Sequence, residues 1–297
     1  MPRPLHKLFR FGRGAPVAVE PPPVPPEPQL AFNCDGREVL IPDLPPGEAD
    51  LPSSLIFSAH KAGSTLLQQL LTNLAPHAGV TMFRLESVFW DQGVPPGQMP
   101  ADASSLFHPR GYCYGVFRMF PWRYQIPILA QAKKILLVRD PRDAIVSHYF
   151  SVAKSHPEPK NAPEEVKLQR LAERERVGAN TIDEHVLEHA EFFFRVHWRY
   201  MRDLTKTHTV RVFRYEDVIF EKRAWVDELC AELGWDVPAR LRHEVADLYD
   251  KRPKEENAAA HIRRVTPGDH REKLRPETIE KLNEVFATAL DRYGYER

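Results

Sequence analysis

The chain has 297 residues, 42% of them hydrophobic and 28% charged, which is enough to bury a sizeable core and excludes a wholly disordered polypeptide. Forty-one lysines and arginines balance 41 aspartates and glutamates, so a formal net charge of zero excludes bulk electrostatic binding of nucleic acid, and any anion site must be local. No run of about 18 apolar residues predicts a membrane span, and the first 15 residues lack the apolar stretch of a secretory leader.

Thirteen of the 28 prolines lie before residue 53, so residues 1–30 predict a disordered, polyproline-type tail. Its basic start (Arg3, Lys7, Arg10, Arg13) suits peripheral contact with a membrane surface or a partner. One domain is expected over 31–297. Three widely spaced cysteines, Cys34, Cys113 and Cys230, form no Cys-x-x-Cys pair, which predicts reduced thiols and a cytoplasmic protein. Residues 53–59 are a short apolar run, and residues 64–74 follow with helical apolar spacing. Further strands are predicted at 111–119, 133–139 and 209–215, with helices after the last two at 140–152 and 220–233. Short apolar strands alternating with helices predict an α/β fold with a central parallel sheet and helices on both faces. A charged helical stretch within about 155–206 is too long for a simple crossover and reads as a helical insertion of the kind that caps active sites. Pro276, Glu277 and Gly294 mark the start and stop of a C-terminal helix.

Four segments carry chemistry. His60-Lys61-Ala62-Gly63-Ser64-Thr65 lies between the first strand and its helix, where backbone N–H groups and the positive helix end face an anion. Gly63 permits close backbone approach, Ser64 and Thr65 supply hydroxyls, and Lys61 supplies a point charge. The lysine precedes the glycine, unlike a Walker A loop, so a kinase-type triphosphate grip is disfavoured. Arg139 ends the 133–139 strand, where open α/β sheets bind ligands, and Ser147 lies two helical turns further on. Tyr215 ends the 209–215 strand and offers a ring and a hydroxyl. Arg263 and Arg264 open an irregular basic segment suited to forked contacts with a doubly charged phosphate.

In order and spacing these segments resemble the sulfotransferase family, which uses 3′-phosphoadenosine 5′-phosphosulfate (PAPS), and the likeness covers about residues 53–295. The resemblance implies a three-layer, P-loop-like fold and transfer of a sulfuryl group to a hydroxyl or amine. The acceptor would be a small molecule, lipid or saccharide; PAPS is the co-substrate, and no metal is needed. Lys61, Ala62, Gly63, Ser64 and Thr65 match the family's loop for the 5′-phosphosulfate, with Lys61 catalytic. Arg139, Ser147, Arg263 and Arg264 match the 3′-phosphate site, and Tyr215 the adenine side. Departures are present: Leu66 stands where cytosolic members stack a Trp on adenine, and Val265 replaces a glycine. Arg118-Met119-Phe120-Pro121 replaces the Lys-Thr-His segment that carries their base. Members acting on polysaccharides place a glutamate base after the first helix, and Glu86 lies 25 positions after Lys61. Asp91, His60, His108 and His148 remain as other candidates for the base. No His/Cys/Asp cluster with ligand spacing is read from the sequence, and no metal is expected. A small-molecule kinase would need a Walker-type lysine and a Mg²⁺-binding carboxylate, and a non-catalytic nucleotide binder would lack a base.

Overall fold

Residues 29–155, 164–253 and 264–297 are described by a computed structural model. The proline-rich tail and Arg263 lie outside them. The described chain starts with a hairpin that the composition does not announce: β1 (Gln29–Cys34) pairs antiparallel with β2 (Arg37–Pro42). Its turn is Asp35-Gly36, both with positive φ, the backbone a two-residue hairpin needs. Phe32, Cys34, Val39 and Ile41 alternate inward and are buried.

The main sheet has five parallel strands in the order β4-β5-β3-β6-β7: β3 (Ser54–Ser58), β4 (Thr81–Phe83), β5 (Tyr112–Phe117), β6 (Lys133–Val138) and β7 (Arg211–Arg214). Every residue of β3 and β5 is buried, as expected of a parallel sheet covered on both faces. The expected strands at 53–59, 111–119, 133–139 and 209–215 are these four; β4, only three residues long, was not foreseen.

Ten helices occupy the described residues. The first five are α1 (Ser64–Leu74), α2 (Leu85–Asp91), α3 (Pro141–Phe150), α4 (Glu164–Ala179) and α5 (Ile182–Arg199). They are followed by α6 (Tyr215–Val218), α7 (Lys222–Leu233), α8 (Ala239–Leu248), α9 (Asp269–Lys273) and α10 (Pro276–Tyr293). Helices α3, α5 and α10 pack on one another, and α1 and α7 each pack on α8. No helix among the described residues is long and apolar enough to cross a membrane.

The stretch expected as one insertion divides in two. Thr181 caps α5 in a capping box with Glu184, the two exchanging bonds of 3.3 and 2.8 Å, and so separates α5 from α4. Helix α5 then runs through a wide turn, Tyr200–Thr205, and delivers the chain towards β7. Tyr200 is buried and donates to the Phe117 carbonyl at 2.8 Å, at the end of β5. Helix α5 therefore lies on the connection from β6 to β7; α4 rests on the wide turn after α3, Ser151–Ser155.

Candidate active site

All five strands are parallel, so their carboxyl ends share one edge, and the predicted loop lies there. After β3 the chain turns through Lys61 (φ 62°) and Gly63 (φ 100°) into α1. Positive φ costs a lysine about 1 kcal/mol or more, strain that is characteristic of functional loops. A Cβ on Gly63 would stand 3.3 Å from the Tyr215 ring at the start of α6, a tight contact which, together with the positive φ, favours glycine here. No side chain caps α1 and no acid sits in its first turn, which leaves the positive end of the helix to an anion.

Three cations converge on this helix start. Lys61 is pushed down to about 8 by burial and by the charges of Arg118 and Arg139. Arg118, just beyond β5, donates from Nε to the Ser64 hydroxyl at 3.2 Å. Arg139, at the end of β6, is 5% exposed; its guanidinium lies 4.6 Å from the centre of the Tyr215 ring and 3.8 Å from Asp143, while its Nε is buried with no partner. An orphaned buried guanidinium N–H costs about 1–3 kcal/mol, and a phosphate oxygen would satisfy it.

Glu86 enters from another side. It lies in the first turn of α2 and not on an open loop, it is 2% exposed, and its carboxylate accepts the Arg118 backbone N–H at 3.0 Å. Burial raises it to about 7, against the lowering effect of Arg118. Arg118 thus joins the carboxylate to the anion cradle.

The sequence pattern of the sulfotransferase domain matches residues 124–294. The chain belongs to the sulfotransferase family. A 3-alpha-hydroxysteroid sulfotransferase of Cavia porcellus is 35% identical over 122 residues, 41% of this chain; the match spans 37% of that protein's length. The crystal structure of mouse sulfotransferase SULT7A1 complexed with PAP superposes with a TM-score of 0.54 at 14% identity, over 82% of this chain and 85% of that one. The likeness extends to the α/β architecture itself.

Within this sulfotransferase fold the remaining expected residues fall as follows. Ser64 is buried, and Ala62 is fully buried behind the loop. Ser147 is half-buried, one helical turn past Asp143 on α3. Asp143, not singled out from the sequence, accepts the Gly268 N–H at 2.7 Å, the His270 N–H at 2.9 Å and His270 Nδ1 at 2.6 Å, which holds its carboxyl far below the usual range. It pins the segment carrying Arg264 to α3. Arg264 itself forks onto Glu272, at 2.7 Å from Nη2, and approaches Asp269 at 3.4 Å. Tyr215 has a different part from the one expected. Its ring is covered by Arg139, its hydroxyl is spent on the Val265 carbonyl at 3.0 Å, and it is 6% exposed, so it props Arg139 and is not an open stacking platform. His108 is removed from the base candidates, because it is exposed and stacks on Tyr112 at the opposite, amino end of β5. Asp140, the neighbour of Arg139, is buried, caps α3 and binds Arg142 through a two-pronged contact of 3.0 and 2.7 Å.

Proposed function

We propose that the protein transfers a sulfuryl group from PAPS to a hydroxyl or amine of a small molecule. The observation that carries this reading is the convergence of Lys61, Arg118 and Arg139 on the uncapped start of α1, with Arg139 Nε unpaired and buried. The residues fit the donor. Gly63, Ser64 and Thr65 would hold the 5′ phosphosulfate end by backbone and hydroxyl contacts, and Lys61 would neutralise charge developing on the departing phosphate oxygen. Arg139 and Ser147, with Arg264 once it leaves Glu272, would hold the 3′-phosphate; Arg263 is assigned with them from its place in the sequence. Glu86 would take the acceptor's proton, since a carboxyl poised near 7 is substantially ionised at neutral pH and still basic.

The mouse structure was solved with PAP, which supports PAPS as donor, and the steroid sulfotransferase similarity puts apolar ring alcohols first among acceptors. Three buried free thiols suit a reducing compartment such as the cytoplasm. Calorimetry tests the donor site: 3′-phosphoadenosine 5′-phosphate should bind at least about tenfold more tightly than ADP, because one net charge-assisted contact to the 3′-phosphate contributes about 1.5–3 kcal/mol. Equal affinities would remove the reading. Radiolabelled PAPS with phenols, alkyl alcohols, sterols, sugars and lipids then identifies the acceptor.

A further inference from the structure

Two histidines weighed as bases, His60 and His148, belong to a pile of four imidazoles behind the phosphate loop. His148 stands on α3, while His185 and His189 stand four residues apart on one face of α5. One ring nitrogen from each of His148, His185 and His189 lies within 4.8 Å of one from the other two. His148 Nδ1 and His185 Nε2 are 3.1 Å apart, and the rings of His185 and His189 stack at 4.1 Å. Edge-on to His148, with ring centres 5.4 Å apart, is His60, the neighbour of Lys61.

The protonation pattern follows from the contacts. His189 Nδ1 lies 2.9 Å from the His185 carbonyl, which can only accept, so Nδ1 carries the proton and Nε2 presents a lone pair. A ligating histidine is oriented in this way by donating its second nitrogen to a backbone carbonyl. His185 is fully buried, and its Nδ1 has no partner. Among the described residues this group of ligand atoms includes no carboxylate, and Glu188 on the same helix is bound by Arg176 at 2.7 Å.

Lone pairs converging without an acid suit a borderline divalent cation and not a hard ion that requires oxygen ligands. Bonds of about 2.0–2.1 Å in a tetrahedron put ligand nitrogens about 3.3 Å apart. The His148–His185 separation is already close to that, and His189 offers a ring nitrogen within 4.8 Å of both. We propose that His148, His185 and His189 form a transition-metal site of the zinc class, with a fourth position open to water. It would clasp α3 to α5 one ring away from the Lys61 loop. The sequence expectation of no ligand cluster overlooks His185-x-x-x-His189, a spacing that places two imidazoles on one helical face.

The experiment uses the full-length, tag-free chain stripped with a chelator. Zinc is titrated in competition with a chromophoric chelator, and cobalt(II) is followed by its visible ligand-field bands. The expected result is one metal per chain, a zinc dissociation constant below about 10 µM, and bands of the intensity that four-coordinate cobalt gives. His185→Ala and His189→Ala should each weaken zinc by at least about a hundredfold, more than the loss of an outer-shell partner costs, whereas His77→Ala and His108→Ala, at exposed positions, should change nothing. Melting curves check that each variant folds. A measurement that needs no variant is carbethoxylation of the wild-type chain with peptide mapping, where zinc should protect His148 and His189, the two partly exposed members. Zinc binding weaker than about 10 µM, uptake undiminished in both variants, or no protection of these two residues overturns the assignment.

Discussion

Burial moves Glu86 and Lys61 in opposite directions on the pH scale, the carboxyl up to about 7 and the ammonium down to about 8. A general base acts only when unprotonated, so kcat should rise with pH through about 7 and level above it. Glu86→Gln keeps the shape and a hydrogen-bonding partner for Arg118 but cannot take a proton; kcat should fall by about 10²–10⁴ and the acid limb should vanish, with product-nucleotide affinity retained. A normal rate in that variant, with His60→Ala or His148→Ala inactive, would move the base to that histidine. Lys61 gives a second titration. An anion favours its charged form, so at pH 8 binding of the product nucleotide should take up protons, measurable as a buffer-dependent calorimetric enthalpy, and affinity should weaken as pH rises further. Lys61→Ala should abolish that uptake and lower kcat by about a hundredfold, with a smaller effect on nucleotide affinity. The Lys61 loop was legible because residue types and strand-to-helix context coincide over a few positions. Arg118 and Asp143 were not, because their partners lie 54 and 127 residues away and only the folded sheet brings them together.

At the scale of elements, the readable signals were those whose cause is local. Apolar runs gave the four long strands of the sheet, and Pro276 with Gly294 bracketed α10. Asp35-Gly36 between alternating apolar residues is an equally local hairpin signal that was passed over in the proline-rich region. The stretch at 162–206 shows its helical character in the sequence, but a periodic charged sequence does not reveal which of its helices the sheet will cover. The apolar stripe of α5, including Val186, Phe193 and Val196, is buried, whereas most of α4 is exposed. The break between them rests on one cap. Thr181→Ala removes the acceptor for the Glu184 N–H and should cost about 1 kcal/mol, lowering the melting temperature by about 2–4 °C without altering kcat. A shift within error would mean that packing of α5 on α3 and α10 fixes its start without the cap.

For the whole molecule, zero net charge means that an anionic donor is not drawn in by a global field; in the proposed function its recognition would rest on a few cations held in place by the fold before it arrives. Such a site is a liability in the empty protein. Arg139 is buried with one N–H unsatisfied and 3.8 Å from the Asp143 carboxylate, while Asp143 keeps three other donors from the 268–270 turn. Binding an anion there should therefore stabilise the entire fold. At about 100 times its dissociation constant, 3′-phosphoadenosine 5′-phosphate contributes about 2.7 kcal/mol by mass action, an upward shift of about 5–10 °C for a chain of this size. Arg139→Met retains most of the buried bulk beside Tyr215 and removes the charge, so the melting temperature of the free protein should change by no more than about 2 °C. The shift produced by the nucleotide at the wild-type concentration should then fall by more than half, since the 3′-phosphate loses its principal partner. Scanning calorimetry of both chains with and without nucleotide decides this. A large loss of stability in the free variant would show that Arg139 is a structural ion-pair member, and an undiminished nucleotide shift would place the 3′-phosphate elsewhere on the sheet edge.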